Sequence, residues 1–201
     1  HVVILMQENR AFDHYFGTLA GARGFGDRFP IPAPPLHGIA PRNVWLQPSE
    51  DGSRLLTPFP LHTARDFRTM RVQGTPHTWP NAQQAWDHGR MGRWAAAKHD
   101  RALAHYERDD LPFQFALAEA FTLCDAYHCA IQAGTNPNRV FLWTGQNDPQ
   151  ARAGGPGIAN SHDNFPELGG HADDYRWPSY VEALQQAGVS WQIYQDMADN
   201  F

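Results

Sequence analysis

The stretch His1-Val-Val-Ile-Leu-Met-Gln-Glu-Asn-Arg10 decides the reading of the fold. Residues 2–7 form a short apolar run, β-branched at its start and sharply bounded. That pattern predicts a buried strand. In open α/β sheets, ligands sit beyond the carboxyl ends of the strands. Glu8 and Asn9, a carboxylate and an amide, therefore read as two hard oxygen donors delivered to the place where chemistry is done. The alternative is that they open a solvated turn.

Working outward, Thr18 to about Thr75 is rich in Pro and Gly (Gly21, Gly24, Gly26, Pro30, Pro32, Pro34, Pro35, Pro41). Proline removes backbone donors, so this stretch predicts a long covering or functional loop. Helical signals run from Pro80 to about Tyr106, weakened by Gly89 and Gly92. Asp109 or Asp110 can cap a following helix with Pro112 in its first turn. Phe113, Leu117, Ala120, Phe121 and Cys124 then recur at helical spacing and predict a core stripe. Gly134-Thr135-Asn136-Pro137 predicts another helix start, with Asn136 as N-cap and Pro137 first inside, and Gly145 as its end. Residues 146–176 read as a second long loop. Ser179–Ala187 reads as a helix stopped by Gly188. Val189–Gln195 reads as a strand ending in Asp196. The layout is α/β with heavy loop decoration. No internal repeat is visible.

A chain of 201 residues is long enough for one domain with a sizeable core but not clearly for two. Its net charge of -5, with no basic stripe, argues against a nucleic-acid partner. No apolar run approaches the roughly 20 residues of a transmembrane span. The chain opens at His1 without Met or leader and stops at Asp199-Asn200-Phe201, which reads as truncation at both ends; export is thus left open. Cys124 and Cys129, five apart with no second pair, read as two free, buried thiols.

Thr135 is the candidate nucleophile. At a helix N-terminus, free amides and the dipole favour an anion, and a hydroxyl there could attack phosphorus. A neutral threonine hydroxyl needs a base or a metal, and Glu8 and Asn9 could help to supply a divalent ion. The alternative for Thr135 is ordinary capping. His77, leaving a long loop beside Trp79, is the favoured acid–base group, because a leaving alkoxide needs a proton near neutral pH. His162 with Asp163 comes next; His14, His88, His128 and His171 are further candidates. Among Trp79, Trp86, Trp94, Tyr106 and Tyr127, most are core, and some could cage a quaternary ammonium such as choline.

Glu8-Asn9-Arg10 followed by Phe12-Asp13-His14-Tyr15-Phe16-Gly17 resembles the opening of the bacterial phosphoesterase family. That family includes phosphatidylcholine-hydrolysing phospholipases C and a related acid phosphatase. Further motifs agree in order: Gly24-Phe25-Gly26-Asp27, His77-Thr-Trp79, His88-Gly89, Cys124-Asp-Ala-Tyr-His-Cys129, Thr135-Asn-Pro-Asn-Arg139, Leu142-Trp-Thr-Gly145, Gly188-Val-Ser-Trp191 and Tyr194-Gln-Asp196. The likeness spans nearly the whole chain, and its first and fifth motifs are the specific ones.

The resemblance implies an alkaline-phosphatase-like core sheet flanked by helices, of which residues 1–201 are the N-terminal, incomplete part. It implies Glu8, Asn9 and Thr135 as metal ligands, Thr135 as nucleophile, and His77 near the phosphate. The implied reaction hydrolyses a phospholipid or small phosphoester through a phosphothreonine intermediate, in a secreted or periplasmic protein. Two departures stand out: Ala11 where the family usually has Ser, and Ala133-Gly134 where it often has Gly-Pro. The family's later acidic ligands lie downstream of Phe201. A divalent ion takes at least four donors, so this chain alone is expected to bind metal weakly or not at all and to be inactive. The competing expectations are an acid-phosphatase-like phosphomonoesterase and a non-catalytic secreted phosphoester-binding domain.

Overall fold

The computed structural model describes residues 1–7, 10–36, 42–160 and 175–194. The chain folds as two compact units, residues 1–77 with 81–128, and residues 78–80 with 129–201.

In the first unit, α1 (Phe12–Phe16) is followed by short ribbons: β1 (Pro32–Ala33) pairs antiparallel with β2 (Arg42–Asn43), and β3 (Gln47–Pro48) with β4 (Leu55–Leu56). β5 (Phe59–Pro60) pairs in parallel with β6 (Ala104–His105). Proline-rich backbone cannot sustain a ladder, so buried side chains fasten it instead. The Arg42 guanidinium donates to the carbonyls of Pro34, Leu46 and Gly92 at 2.8, 2.6 and 3.3 Å. The Gln47 amide donates to the carbonyls of Val44 and Met91 and accepts from the Trp94 N–H. Arg42 and Gln47 are buried.

The predicted helical stretch forms α2 (Trp79–Trp86) and α3 (Trp94–Lys98), then a 3₁₀ turn over Asp100–Leu103. Asp87 and His88 both take left-handed backbone, φ 47° and 56°, and this ends α2. α1 lies on β6: the Tyr106 N–H donates to the His14 carbonyl at 2.9 Å, and His14 Nδ1 donates to the Ala104 carbonyl at 2.7 Å. At this contact the Phe16 ring packs on the buried Phe115 at 5.8 Å and His14 on the buried Tyr106 at 4.8 Å; Ala85, Ala95, Leu103 and Ala104 are also buried.

Several expectations change here. Residues 2–7 do not form a buried strand: Val2, Val3, Ile4 and Leu5 are 90, 89, 69 and 82% exposed. A strand needs a hydrogen-bonding neighbour, and no described strand pairs with this run. Val189–Tyr194 is likewise unpaired coil; Gln195 and Asp196 lie outside the described residues. In α4 (Pro112–Ala120) the buried ring is Phe115, while Phe113, Leu117 and Phe121 are 68, 43 and 74% exposed; the apolar stripe marks a face that no described element covers. Its N-cap is Leu111, because the Asp110 carboxylate is taken by Thr63 and by the Glu107 N–H. Cys124 and Cys129 are free, as expected, but exposed.

The second unit holds α5 (Thr135–Thr144) and α6 (Tyr180–Gln186). α5 ends at Gly145, φ 73°, where a left-handed cap suits glycine. α6 starts at Ser179, which forms a reciprocal capping box with Glu182, and Gly188 follows with φ 67°. In the second loop, the Asp148 carboxylate accepts the N–H groups of Arg152, Ala153 and Gly155. These bonds, led by Ala153, hold its pKa below the usual carboxylate value. The mixed helix-and-ribbon architecture agrees with an α/β class in coarse form. The larger core sheet expected from the resemblance is not formed among the described residues.

Candidate active site

Thr135 is the first residue of α5 and is 7% exposed. Gly134, in extended backbone, is the N-cap and supplies no side-chain cap. Asn136 is therefore not the N-cap, and Pro137 is the third helical residue. Two other asparagines do the work. Asn138 Nδ2 donates to the carbonyls of Ile131, Ala133 and Gly134 at 3.1, 3.3 and 3.0 Å, and its Oδ1 accepts the Ile131 N–H at 3.3 Å. One side chain thus sews the approach loop to the helix that carries Thr135. Asn160 Oδ1 accepts the Asn136 N–H at 3.1 Å, acting as a cap from 24 residues away. A Cβ on Gly134 would stand 2.9 Å from that Asn160 oxygen, so the absence of a side chain lets the cap approach.

This geometry sharpens what the helix start offers an anion. Asn160 occupies the Asn136 N–H and Pro137 has none, so of the first three helical residues only Thr135 has an N–H that no group among the described residues takes. The helix dipole adds to it.

In the first unit, His77 is exposed, and its Nδ1 donates to the Thr75 carbonyl at 2.8 Å. That bond fixes the tautomer and leaves Nε2 with the lone pair. The loop beneath is pinned by two cations. Lys98 Nζ donates to the Pro76 carbonyl at 2.7 Å, and Arg101 Nη2 to the Gly74 carbonyl at 2.8 Å. Lys98 is buried, which pushes its pKa down, and its ammonium stands 5.8 Å from the centre of the Trp94 ring.

Glu8 and Asn9 lie outside the described residues, as do His162, Asp163 and His171. Among the described residues, no three His, Cys, Asp or Glu side chains gather as a metal cluster. His88 and His128 are exposed; His14 is half-buried, with Nδ1 committed to Ala104 and its pKa lowered mainly by burial. Tyr106 packs in the core against His14 rather than lining a cage.

Sequence reading missed Asn138, Asn160, Lys98 and Asp13. Asn138 sits one helical turn from Thr135, a spacing that signals a shared face. Asp13 follows the Glu8-Asn9 motif, and burial pushes its pKa up to about 6. Its Oδ1 has no hydrogen-bond partner among the described residues.

The model of the phosphoesterase family matches residues 1–201. The chain belongs to that family. It is 56% identical to the non-hemolytic phospholipase C of Pseudomonas aeruginosa, over 100% of this chain and 28% of that protein. It is 46% identical to the non-hemolytic phospholipase C of Burkholderia pseudomallei, over 98% of this chain and 26% of that protein. Phospholipase C A of Mycobacterium tuberculosis is 35% identical over 98% of this chain and 37% of its own length. The phosphoesterase chain thus spans between a quarter and two fifths of these relatives. Among its described residues, no helix is long and apolar enough to cross a membrane.

Proposed function

We propose that the protein containing this chain is a metal-dependent, secreted or periplasmic phospholipase C that acts on phosphatidylcholine-type substrates through Thr135. The family match and the phospholipase C relatives support a phosphoric ester hydrolase. The observation that carries the mechanism is the placement of Thr135 as the first residue of α5, behind an approach loop fixed by Asn138.

Thr135 Oγ1 attacks phosphorus, forming a P–O bond as the bond to the diacylglycerol oxygen breaks. The Thr135 hydroxyl proton passes to water, while His77, with Nδ1 anchored on the Thr75 carbonyl, takes a proton from water on the Nε2 lone pair and hands it to the departing alkoxide, returning to its neutral form. Water then cleaves the phosphothreonine ester, releasing phosphocholine and restoring the hydroxyl. Glu8, Asn9 and Thr135 are the residues that would hold a divalent ion, which when bound would lower the hydroxyl pKa and neutralise developing charge. The remaining ligands and the alkaline-phosphatase-like core sheet are assigned to polypeptide outside this chain.

Thr135→Ala in the full-length protein tests the reading. Turnover of p-nitrophenylphosphorylcholine is expected to fall roughly 10³-fold or more, with loss of the acid-stable adduct on the Thr135 peptide. Wild-type turnover in that variant would remove Thr135 from the mechanism. Faster turnover of a phosphate monoester than of the choline ester would favour the phosphomonoesterase branch.

A further inference from the structure

Between β5 and α2 the chain makes a turn, residues 62–72, that holds its backbone still while presenting large apolar side chains to water. It begins at His62, φ 51°. Thr63 donates its N–H and hydroxyl to Asp110 at 2.8 and 2.6 Å. Asp66 caps the 3₁₀ turn Phe67–Met70 through the Arg68 N–H and receives both Nε and Nη2 of Arg68 at 2.9 Å. The buried Tyr106 hydroxyl lies against the carbonyls of Thr69 and Met70 at 2.9 and 3.2 Å. Despite this anchorage, Phe67 is 79% and Met70 56% exposed. Three apart in a 3₁₀ turn, they stand on one line.

The charge around them is specific. Along the turn, Arg65, Arg68 and Arg71 flank the two apolar residues with Asp66 as the one acid; Asp110, bonded to Thr63, and Glu107, 3.9 Å from His62 Nδ1, stand by its first residues. Arg68 is paired with it; Arg65 and Arg71 are exposed and have no ion-pair partner among the described residues. A chain of net charge -5 has concentrated cations where it exposes a rigid Phe and Met. The exposed Phe121, by contrast, lies between two acids, Glu119 and Asp125.

We propose that this turn is a membrane-docking element for an anionic phospholipid surface. Phe67 and Met70 enter the boundary between headgroups and acyl chains, while Arg65 and Arg71 meet lipid phosphates and carboxylates. The proposal rests on the phospholipase reading, because an enzyme whose substrate is a bilayer lipid must work at that interface. It assigns to one turn the task of holding the enzyme there.

The test uses full-length protein and two kinds of vesicle, pure phosphatidylcholine and an equal mixture of phosphatidylcholine and phosphatidylserine. Cosedimentation reads binding, and p-nitrophenylphosphorylcholine reads the active site away from any membrane. Phe67→Ser with Met70→Ser is expected to lower partitioning onto both vesicles at least about ten-fold, with vesicle hydrolysis falling in step and turnover of the soluble ester unchanged. Arg65→Glu with Arg71→Glu is expected to weaken binding to the mixed vesicles by about five-fold per arginine, and to leave pure phosphatidylcholine binding nearly as it was. Unchanged partitioning by both double variants overturns the proposal. So does an equal fall in soluble-ester and vesicle turnover, which would make the turn part of the fold. Loss of a dimer with vesicle binding intact would assign the surface to a second copy of the protein and also overturn it. If wild-type protein hydrolyses neither substrate, the phospholipase reading fails, while partitioning still judges the docking turn on its own.

Discussion

Around Arg42 and Gln47, buried side chains gather backbone groups 44 to 50 residues away, whereas around Thr135 the carboxamide of Asn138 gathers carbonyls only four to seven residues away. The first region and the loop that leads into α5 are irregular, and both satisfy backbone groups through side chains instead of ladders. The range differs because the tasks differ. The first region must hold loops together across a long stretch of chain, and only long-range ties do that. The second must fix one hydroxyl relative to one helix end, and a local clasp gives the tighter tolerance.

The largest expected effect breaks the long-range side of this contrast. Arg42→Met leaves the carbonyls of Pro34, Leu46 and Gly92 without a donor. It is expected to cost about 3 kcal/mol, read as a lower denaturation midpoint at constant m-value, with turnover per folded molecule preserved. A large fall in specific turnover would show that scaffold and site are not separable. Asn138→Asp attacks the local clasp: a carboxylate has no N–H to give and faces three carbonyls. Turnover is expected to drop roughly 10²-fold through misplacement of Thr135, with a stability loss of only about 1–2 kcal/mol.

Two glycines sharpen the comparison at smaller scale. A Cβ on Gly24 would stand 2.4 Å from the Gly17 carbonyl oxygen, which is backbone and cannot swing away. Gly24→Ala is expected to cost about 2 kcal/mol. On Gly134 the obstacle is the Asn160 side chain, which can rotate. Gly134→Ala is expected to cost under about 1 kcal/mol in a melt, yet to lower turnover several-fold by releasing the Asn136 N–H. Equal melting shifts would put both glycines under the same constraint and erase the distinction.

The smallest effect is a pH dependence. Burial raises the Asp13 pKa to about 6, well above the usual carboxylate range. The folded state thus holds this proton more tightly than the unfolded chain, so Asp13 favours folding below the ordinary carboxylate value and loses that contribution as pH rises through about 6. His14 and His105 go the other way: burial lowers both, and their contribution is lost as pH falls through the ordinary histidine range. Asp13→Asn removes one arm. It is expected to raise stability at neutral pH by about 1 kcal/mol, after discounting for solvent screening, and the gain should vanish in mild acid, near the ordinary carboxylate pKa. Unfolding curves across that range decide it; a gain independent of pH would place the Asp13 effect elsewhere.

Local signals are legible where a residue and its neighbours within one turn set the conformation. Gly145 ends α5, Gly188 follows α6, and Thr135 stands at a helix start, each as its local sequence predicts, and the helix expected over Ser179–Ala187 forms with Ser179 as its cap. The departures share one cause. Apolar character alone predicts burial for residues 2–7, the α4 stripe and the two cysteines, but burial depends on a partner surface, and none among the described residues meets them. Residue type alone assigns caps to Asn136 and Asp110. Asn160 displaces the first from that role, and Thr63 claims the second, through contacts 24 and 47 residues apart.

Family membership and the candidacy of Thr135 as the attacking hydroxyl are written in the sequence, because motifs and helix-start chemistry are local properties of the chain. The way Thr135 is held is decided only in three dimensions. So is the setting in which the Asp13 carboxyl and the Lys98 ammonium are buried. Each depends on which distant group arrives to satisfy or to cover a polar atom, and spacing along a chain does not encode that arrival.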